Sequence, residues 1–235
     1  MSVKFAKEMR VRITFTEEGL GTQPNNQEIY SEFIASKSPD ATTVEDEILA
    51  IGKEEFEEKQ MTVFPRNDNN VPFIYDYQWK GFLKEAGRMM NRIPSSETKK
   101  TLKAFLQVIN GNIFIKADVP VDIKSATERR KVSRQTLLNI PEGAKMNKCQ
   151  RPLRAQTAQG ERVSLACSET IPAGTTCEFT ICLMDAKLEK VVAEWLDYGE
   201  EHGTLQWRNS GKGTFVWDLL DENGKVIGGN NEFAE

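Results

Sequence analysis

The sequence predicts an α+β fold in which a βαββαβ core carries two insertions. Apolar and polar residues alternate over 9–15, which is typical of a strand with one buried face. Apolar residues recur at helical spacing over 188–196, and they alternate again over 215–219. With the elements predicted between them, the order along the chain is strand, helix, strand, strand, helix, strand. This is the order of ferredoxin-like and RRM-like cores.

The first half of the core is predicted from a hairpin and the helix that follows it. Two short strands are expected around a turn at 66–70, which is rich in turn-forming residues. Asp76 is placed to cap a helix. The apolar stripe of this helix consists of Trp79, Phe82, Leu83, Ala86 and Met90. A break rich in proline and serine then leads to a short helix over 97–108 and to strands over 112–123.

The second half of the core has the clearest periodicity. Strands over 163–167 and 177–183 flank a turn at 169–174. Asp185 is placed to cap the following helix, and Gly199 to follow its end. A glycine-rich link then precedes the last strand of the core.

Two insertions are expected, and their charges are opposite. Residues 20–60 form an acidic helical insertion with helices near 25–36 and 43–58; from Glu17 to Glu58 there are twelve acids and two lysines, 2 − 12 = −10. Residues 124–150 show no period and predict a long basic loop or arm. From Lys124 to Arg154 there are nine basic and two acidic residues, 9 − 2 = +7.

Length and composition are those of a folded globular protein, and we predict a single domain over residues 1–235. The N-terminus lacks the apolar stretch of a signal peptide, and no apolar run is long enough to span a membrane, so we expect a cytoplasmic protein without a membrane partner. The four cysteines have no CxxC spacing and only one histidine accompanies them. We therefore predict no metal and no cofactor.

The net charge of −4 is unusual for a nucleic-acid-binding protein, but the charge is segregated along the chain. From Lys80 to Lys116 there are eight basic and two acidic residues, 8 − 2 = +6. Together with the basic insertion, this segment is able to form one phosphate-attracting surface if the two meet in space. A nucleic-acid partner is therefore compatible with an acidic protein.

The glycine-rich segment 203–213 is the sharpest local signal for such a surface. Glycines allow successive backbone N–H groups to converge on an anion, and Arg208 and Lys212 add positive charge. We predict nucleic-acid contacts for Trp207, Arg208, Gly211, Lys212 and Gly213. The alternative is a tight helix-to-strand turn with Trp207 in the core.

Two further basic sets are predicted to contact nucleic acid. The first is a row at four-residue spacing on the helix after Asp76, consisting of Lys80, Lys84 and Arg88. The second belongs to the basic segment and the residues just after it, and consists of Arg129, Arg130, Lys131, Arg134, Arg151 and Arg154. Both sets are also compatible with a merely solvated surface.

Four of these motifs together resemble the CRISPR-associated RAMP superfamily, and in particular its backbone subunits that coat guide RNA. The opening strand and its exit, RVRITFTEEGLGTQ, resemble the family's first strand and turn. The hairpin and helix resemble the family's "P-x-I-P-G-S-S-L-K-G-x-L-R" region, with Pro72, Lys80, Gly81 and Lys84 at matching places. SETIPAGTTCEFTI resembles the "IPxGTxF" strand entry, and HGTLQWRNSGKGTFVW the C-terminal glycine-rich loop and strand.

One departure from the family is Tyr75-Asp76-Tyr77-Gln78 in place of "P-G-S-S", and the others concern catalysis. Target-cleaving relatives carry an acidic residue about twenty positions before the Lys-Gly pair, where this chain has Gln60, with Glu57 and Glu58 nearby. Processing endonucleases of the superfamily often use a histidine, and the sole histidine here, His202, lies in the glycine-rich segment. We therefore expect no catalytic residue and no enzymatic activity, a RAMP endoribonuclease being the less favoured alternative.

The resemblance implies a non-catalytic protein that binds RNA or single-stranded nucleic acid, as a subunit of a CRISPR-type ribonucleoprotein in antiviral defence. Such a subunit has other RAMP-type subunits or copies of itself as partners. The alternative is a RAMP-scaffold protein encoded by a virus or mobile element, which binds a host defence complex or a nucleotide signal.

Overall fold

The computed structural model describes residues 4–25, 61–157 and 160–231. The chain divides into two compact units, and it passes from one to the other after Gly19, Phe64, Ala144 and Ile171. The larger unit consists of 1–19, 65–144 and 172–235, and the smaller of 20–64 and 145–171. The single domain expected over 1–235 stays a prediction.

The elements follow in chain order. The strands are β1 (Lys7–Phe15), β2 (Gly19–Leu20), β3 (Gln23–Pro24), β4 (Thr62–Val63), β5 (Phe73–Tyr75), β6 (Ile113–Lys116), β7 (Gln135–Leu137), β8 (Asn147–Thr157), β9 (Gly160–Ile171), β10 (Thr176–Leu183), β11 (Phe215–Leu220) and β12 (Val226–Gly229). The helices are α1 (Asp76–Met90), α2 (Glu97–Thr101), α3 (Phe105–Asn112), α4 (Ala126–Val132) and α5 (Leu188–His202), and a 3-10 turn spans Arg208–Ser210.

The larger unit is built on a five-stranded antiparallel sheet in the order β12-β11-β1-β10-β6. Strand β1 lies at its centre, with Ile13 opposite Cys177 of β10 and Trp217 of β11. The predicted alternation holds, because every second residue of β1 from Met9 onward, including Val11 and Ile13, is buried. With its helices, this sheet confirms the α+β class.

Helices α1 and α5 cover the buried face of the sheet. Trp79 of α1 packs on Phe179 of β10 with ring centroids 4.8 Å apart, and Phe82 packs on Phe215 of β11 at 5.2 Å. Trp195 of α5 is completely buried. Both predicted apolar stripes therefore form the core of this unit.

Short helix α2 is fastened to α5 by polar contacts. The carboxylate of Glu194 accepts hydrogen bonds from the backbone N–H groups of Glu97 at 2.8 Å and Thr98 at 3.0 Å. The Trp195 indole N–H donates to the hydroxyl of Thr98 at 2.7 Å. The two bonds to Glu194 satisfy backbone N–H groups that the first turn of a helix leaves without intrahelical acceptors.

The smaller unit is a second sheet. Its strands follow the order β2-β9-β4-β3, and β8 also pairs with β9 in a long antiparallel ladder. Thr62 of β4 lies beside Ser168 of β9 in a parallel pair, and their hydroxyls are 2.8 Å apart. A Cβ at Gly21 would collide with the backbone of Val63, so this close approach requires glycine.

Several predicted boundaries differ from the structure. Asp76 is the first residue of α1 rather than its cap, the helix expected over 97–108 is two helices, and the region 112–123 holds the single strand β6. The turn at 66–70 is confirmed by the bridge between Arg66 and Pro72, but the flanking strands pair elsewhere.

The basic segment 124–150 is not the irregular loop that was predicted, since it contains α4, β7 and the start of β8. Strand β7 and helix α4 are too short for a hydrophobic period to be visible in the sequence. The helices expected at 25–36 and 43–58, and therefore most of the acidic insertion, lie outside the described residues. Among the residues described, no helix is long and apolar enough to cross a membrane.

Gly199 lies inside α5 rather than after its end, and the helix continues to His202. A Cβ on Gly199 would overlap the ring of Phe215. The glycine is therefore needed for the close contact between α5 and β11, and Gly203, with φ 72°, is the residue that ends the helix.

We expect Gly199→Ala to destabilise the protein by about 1–3 kcal/mol, because the added methyl group overpacks the contact with Phe215. Urea denaturation followed by circular dichroism measures this change. The matched control is Gly81→Ala in α1, where an added Cβ meets nothing within 4 Å. Alanine there should raise stability slightly. Equal effects of the two substitutions would contradict the contact.

Candidate nucleic-acid interface

The glycine-rich segment forms a compact loop between α5 and β11. Its backbone has positive φ at Gly203, Leu205, Trp207, Gly211 and Gly213. A Cβ at Gly213 would overlap the carbonyl of Thr204, and one at Gly203 would lie 2.7 Å from the backbone of the opposite arm. These two glycines let the arms of the loop approach each other, and Thr204 N–H donates to Gly213 O at 2.8 Å.

Several backbone N–H groups of this loop are already engaged within the protein. Five of them already donate to main-chain carbonyls, namely those of Gly203, Thr204, Ser210, Gly211 and Gly213. These five N–H groups are therefore not available to an anion, and Gly203 and Gly213 shape the turn. Anion binding by the loop stays a prediction, and its side chains are the groups described next.

Arg208 is held by a carboxylate from α1. Its guanidinium nitrogen Nη1 lies 2.8 Å from Oε2 of Glu85, and Oε1 of the same carboxylate lies 3.1 Å from Nε2 of His202. The ring of His202 also stacks on Tyr198. Burial raises the pKa of Tyr198, and the negative charge of Glu85 adds to this increase. One carboxylate thus joins α1, the end of α5 and the loop.

Lys212 is held by the two glutamates that follow β1. Its ammonium lies 3.4 Å from Glu17 and 3.3 Å from Glu18. Burial lowers the pKa of Lys212, but the hydrogen bonds and charges of Glu18 and Glu17 outweigh it and raise the pKa above the ordinary value. Lys212 is therefore fully charged at neutral pH.

Trp207 is the aromatic residue of the same loop, and its side chain is 36% exposed. It does not lie in the core, which was the alternative considered from the sequence. The loop thus carries one accessible indole, one arginine and one lysine within six residues, 207–212.

The basic row on α1 is only partly available. Lys80 is half-buried, with its ammonium 5.0 Å from the ring centre of Phe114. Burial lowers its pKa, and the negative charge of Asp76 opposes that decrease. Lys84 is half-buried as well, whereas Arg88 is exposed.

The basic residues of 124–134 lie on and after α4. Arg129 donates to the carbonyl of Ile123, and Lys131 pairs with Asp68 at 3.4 Å. Arg130 is exposed. Arg134 pairs with Asp76 at 3.0 Å. The structure therefore brings Arg134 of the basic segment to the first turn of α1, where Asp76 also acts on Lys80.

Arg151 and Arg154 belong to β8 in the smaller unit, and the side chain of Arg154 lies outside the described residues. Gln60, Glu57 and Glu58 lie outside them too. Within the described ranges, no group of three or more histidine, cysteine or acidic side chains is arranged to hold a metal ion. The nucleic-acid contacts of all these residues stay predictions.

Sequence reasoning missed the carboxylates at the loop. Glu85 is one acid within a basic helix, and Glu17 and Glu18 are remote in sequence from Lys212. The pairing of β1 with β11 brings Glu17 and Glu18 to the loop, where Gly213 N–H donates to Glu18 O at 2.8 Å. No local pattern in the sequence signals these ion pairs.

No protein-family model matches the sequence, and no curated protein matches it. A solved structure of the type III-B Cmr-beta bound to cognate target RNA contains a similar chain, with 10% identity, a TM-score of 0.50, and coverage of 95% of this chain and 60% of its own. This chain therefore spans less than two thirds of that one.

Two further similar structures are Cmr6 from Pyrococcus furiosus and a type IV-B CRISPR complex. Cmr6 has 12% identity and a TM-score of 0.40, over 91% of this chain and 99% of its own. The type IV-B chain has 12% identity and a TM-score of 0.36, over 96% and 95%. The likeness to the Cmr-beta chain confirms, at the level of fold, the resemblance to CRISPR-associated RAMP proteins that the motifs indicated.

Proposed function

We propose that this protein binds single-stranded RNA through the phosphate backbone, as a non-catalytic subunit of a CRISPR-type ribonucleoprotein in the cytoplasm. Other RAMP-type subunits or further copies of this chain would be its protein partners. The observation that carries the proposal is the loop at 207–212, where Trp207 and two cations lie together on one turn.

The chemistry of this loop suits an RNA backbone. Guanidinium and ammonium groups bind phosphate oxygens, and an exposed indole stacks on a base without selecting its identity. The carboxylates that hold Arg208 and Lys212 are partly exposed glutamates, for which such pairs contribute little stability. A phosphate is able to replace them without a large cost.

The acidic partners also explain how a protein with a net negative charge is able to carry a phosphate-binding loop. Glu85, Glu17 and Glu18 keep the two loop cations in place while no ligand is bound. A protein of net charge −4 is then able to present a phosphate-binding loop. Binding should depend strongly on salt and weakly on sequence.

We also propose that the core is ferredoxin-like. Strands β1, β6, β10 and β11 take the places of the first to fourth strands, with α1 between the first two and α5 between the last two. Their spatial order is fourth, first, third, second, and every neighbouring pair is antiparallel. This arrangement supports a βαββαβ core with additional strands and helices.

The absence of catalysis is part of the proposal. Gln60 occupies the position where the resemblance places a cleaving acid. The sole histidine contacts Glu85 in the loop and stacks on Tyr198, where it serves the structure of the turn. Incubating the protein with labelled RNA and magnesium or manganese should leave the RNA intact, and cleavage that is lost in His202→Ala would contradict this part.

The double variant Arg208→Gln/Lys212→Gln tests the interface. Fluorescence anisotropy with a labelled 20-mer of uridines should show binding weakened by about tenfold at 0.1 M salt. The slope of log K against log salt should become about 1.4 less steep, because two phosphate contacts are lost at about 0.7 each. The control Lys99→Gln/Lys100→Gln removes the same charge from α2.

The result that contradicts the loop as the interface is equal weakening by both double variants. If the wild-type protein itself fails to bind the RNA at low salt, the proposed function is wrong. Preserved circular dichroism spectra establish that each variant is folded.

Glu85→Gln tests whether the negative charge of Glu85 competes with RNA phosphate for Arg208. The amide keeps the shape of the side chain but removes the negative charge beside Arg208, so RNA binding should tighten by about two- to fivefold. Glu222→Gln, an exposed residue after the far end of β11, makes the same charge change and should alter affinity less. Weaker binding by Glu85→Gln would show that Glu85 positions the loop for the ligand.

A further inference from the structure

A carboxylate and a guanidinium lie side by side at the surface of the larger unit. Oε2 of Glu85, on α1, is 2.8 Å from Nη1 of Arg208, in the loop after α5. Both side chains are 31% exposed, so a ligand is able to reach them from solvent. We call these two groups the Glu85–Arg208 pair. The proposed function uses them only as charges that separate when a phosphate binds.

The Glu85–Arg208 pair keeps hydrogen-bonding capacity for a ligand. A carboxylate has about four lone pairs and no donor, and a guanidinium has five N–H groups and no acceptor. Within the described part of the chain, Glu85 contacts Arg208 through Oε2 and His202 through Oε1, which leaves a lone pair on each oxygen. From Oε1 to Nη1, the pair therefore presents two acceptors followed by a donor.

Aromatic side chains lie beside the pair. The rings of Tyr198 and His202 stack with their centroids 4.8 Å apart, and Nε2 of His202 lies 3.1 Å from the carboxylate of Glu85. Trp207 precedes Arg208 in the loop, and its side chain is 36% exposed. Flat rings next to hydrogen-bonding groups are the usual surroundings of an RNA base that a protein reads on its edge. These surroundings suit a nucleobase as well as a phosphate.

Guanine is the RNA base whose Watson–Crick edge matches the pair. That edge presents the N2 amino group, N1–H and O6, which are two donors followed by an acceptor. Uracil presents an acceptor, a donor and an acceptor, and cytosine presents two acceptors followed by a donor. Adenine offers its N1 acceptor and its N6 amino donor. Each of these three bases would leave a polar group of the pair opposite a group of the same kind, which costs binding energy.

We propose that the Glu85–Arg208 pair selects a guanine base in the bound RNA. The carboxylate would accept from N1–H and from the N2 amino group, and the guanidinium would donate to O6. At that position Arg208 would stay beside Glu85, and Lys212 would serve the phosphate. The inference rests on the proposed RNA binding and adds the one base that is read. All other nucleotides would be held through phosphates, so the dependence on sequence stays limited.

The test compares labelled 20-mers of uridine with and without a guanosine at every fifth position. Repeating the guanosine lets it reach the pair from several registers. In fluorescence anisotropy at 0.1 M salt, the guanosine RNA should bind at least about fivefold more tightly than uridine alone. Adenosine at the same positions also stacks but does not match the pair, so it should bring a gain of about twofold at most.

Two base analogues show which edge of guanine is read. 7-Deazaguanosine lacks N7 but keeps the whole Watson–Crick edge, so it should bind as tightly as guanosine. Inosine lacks the N2 amino group and should lose most of the gain. An arginine that contacts O6 and N7 without the carboxylate would give the opposite pair of results.

Variants locate the reader. Glu85→Gln replaces one acceptor of the pair with a donor, so guanosine and uridine RNA should bind equally well to it, even though uridine RNA binds more tightly than to the wild type. Glu222→Gln makes the same charge change at an exposed residue after β11 and should keep the preference for guanosine. Because the preference is a ratio measured within each variant, a general change in affinity does not affect it.

Binding of the uridine 20-mer to the wild type measures the proposed function, and the gain from guanosine measures this inference. If the uridine RNA binds and guanosine adds no more than adenosine, the inference is wrong and the proposed function stands. A gain that is lost with 7-deazaguanosine, or one that persists in Glu85→Gln, also overturns the inference. Failure of every RNA to bind overturns both.

Discussion

The pairing of β1 with both β10 and β11 is the constraint on which the larger unit depends. It fixes which side chains of the sheet face α1 and α5, because a shift by one residue would turn every buried side chain of β1 outward. It also sets the position of the loop, since Thr16 and Thr214 meet where β1 ends and β11 begins, with their hydroxyls 2.8 Å apart. The glutamates after β1 reach Lys212 for the same reason.

The candidate interface combines a closed turn with charge partners that a ligand is able to replace. Glycines at 203 and 213 permit a closed turn, in which five main-chain N–H groups donate to carbonyls of the protein. The cations on it are held by exposed or half-buried glutamates, which a phosphate is able to replace. Recognition would then rest on side-chain charge and stacking, which suits binding without sequence selection.

Long elements with one buried face could be predicted from the sequence, and these were β1, α1, α5 and β11. Their periods repeat often enough to be recognised, whereas α4 and β7 are too short and lie among charged residues. Gly199 was misplaced because a glycine that ends a helix and one that admits the Phe215 ring look alike in sequence. Likewise, Arg208 and Lys212 were found from their local pattern, but Glu85, Glu17 and Glu18 reach them only through tertiary pairing.

The central claim is that the loop after α5 touches RNA, and photochemical cross-linking tests it most directly. RNA containing 4-thiouridine would be irradiated in complex with the protein, and the cross-linked peptides identified by mass spectrometry. The account predicts cross-links within 203–213, with Trp207 prominent because it is the exposed aromatic residue of that loop. Efficient cross-links confined to other segments, with none in 203–213, would contradict it.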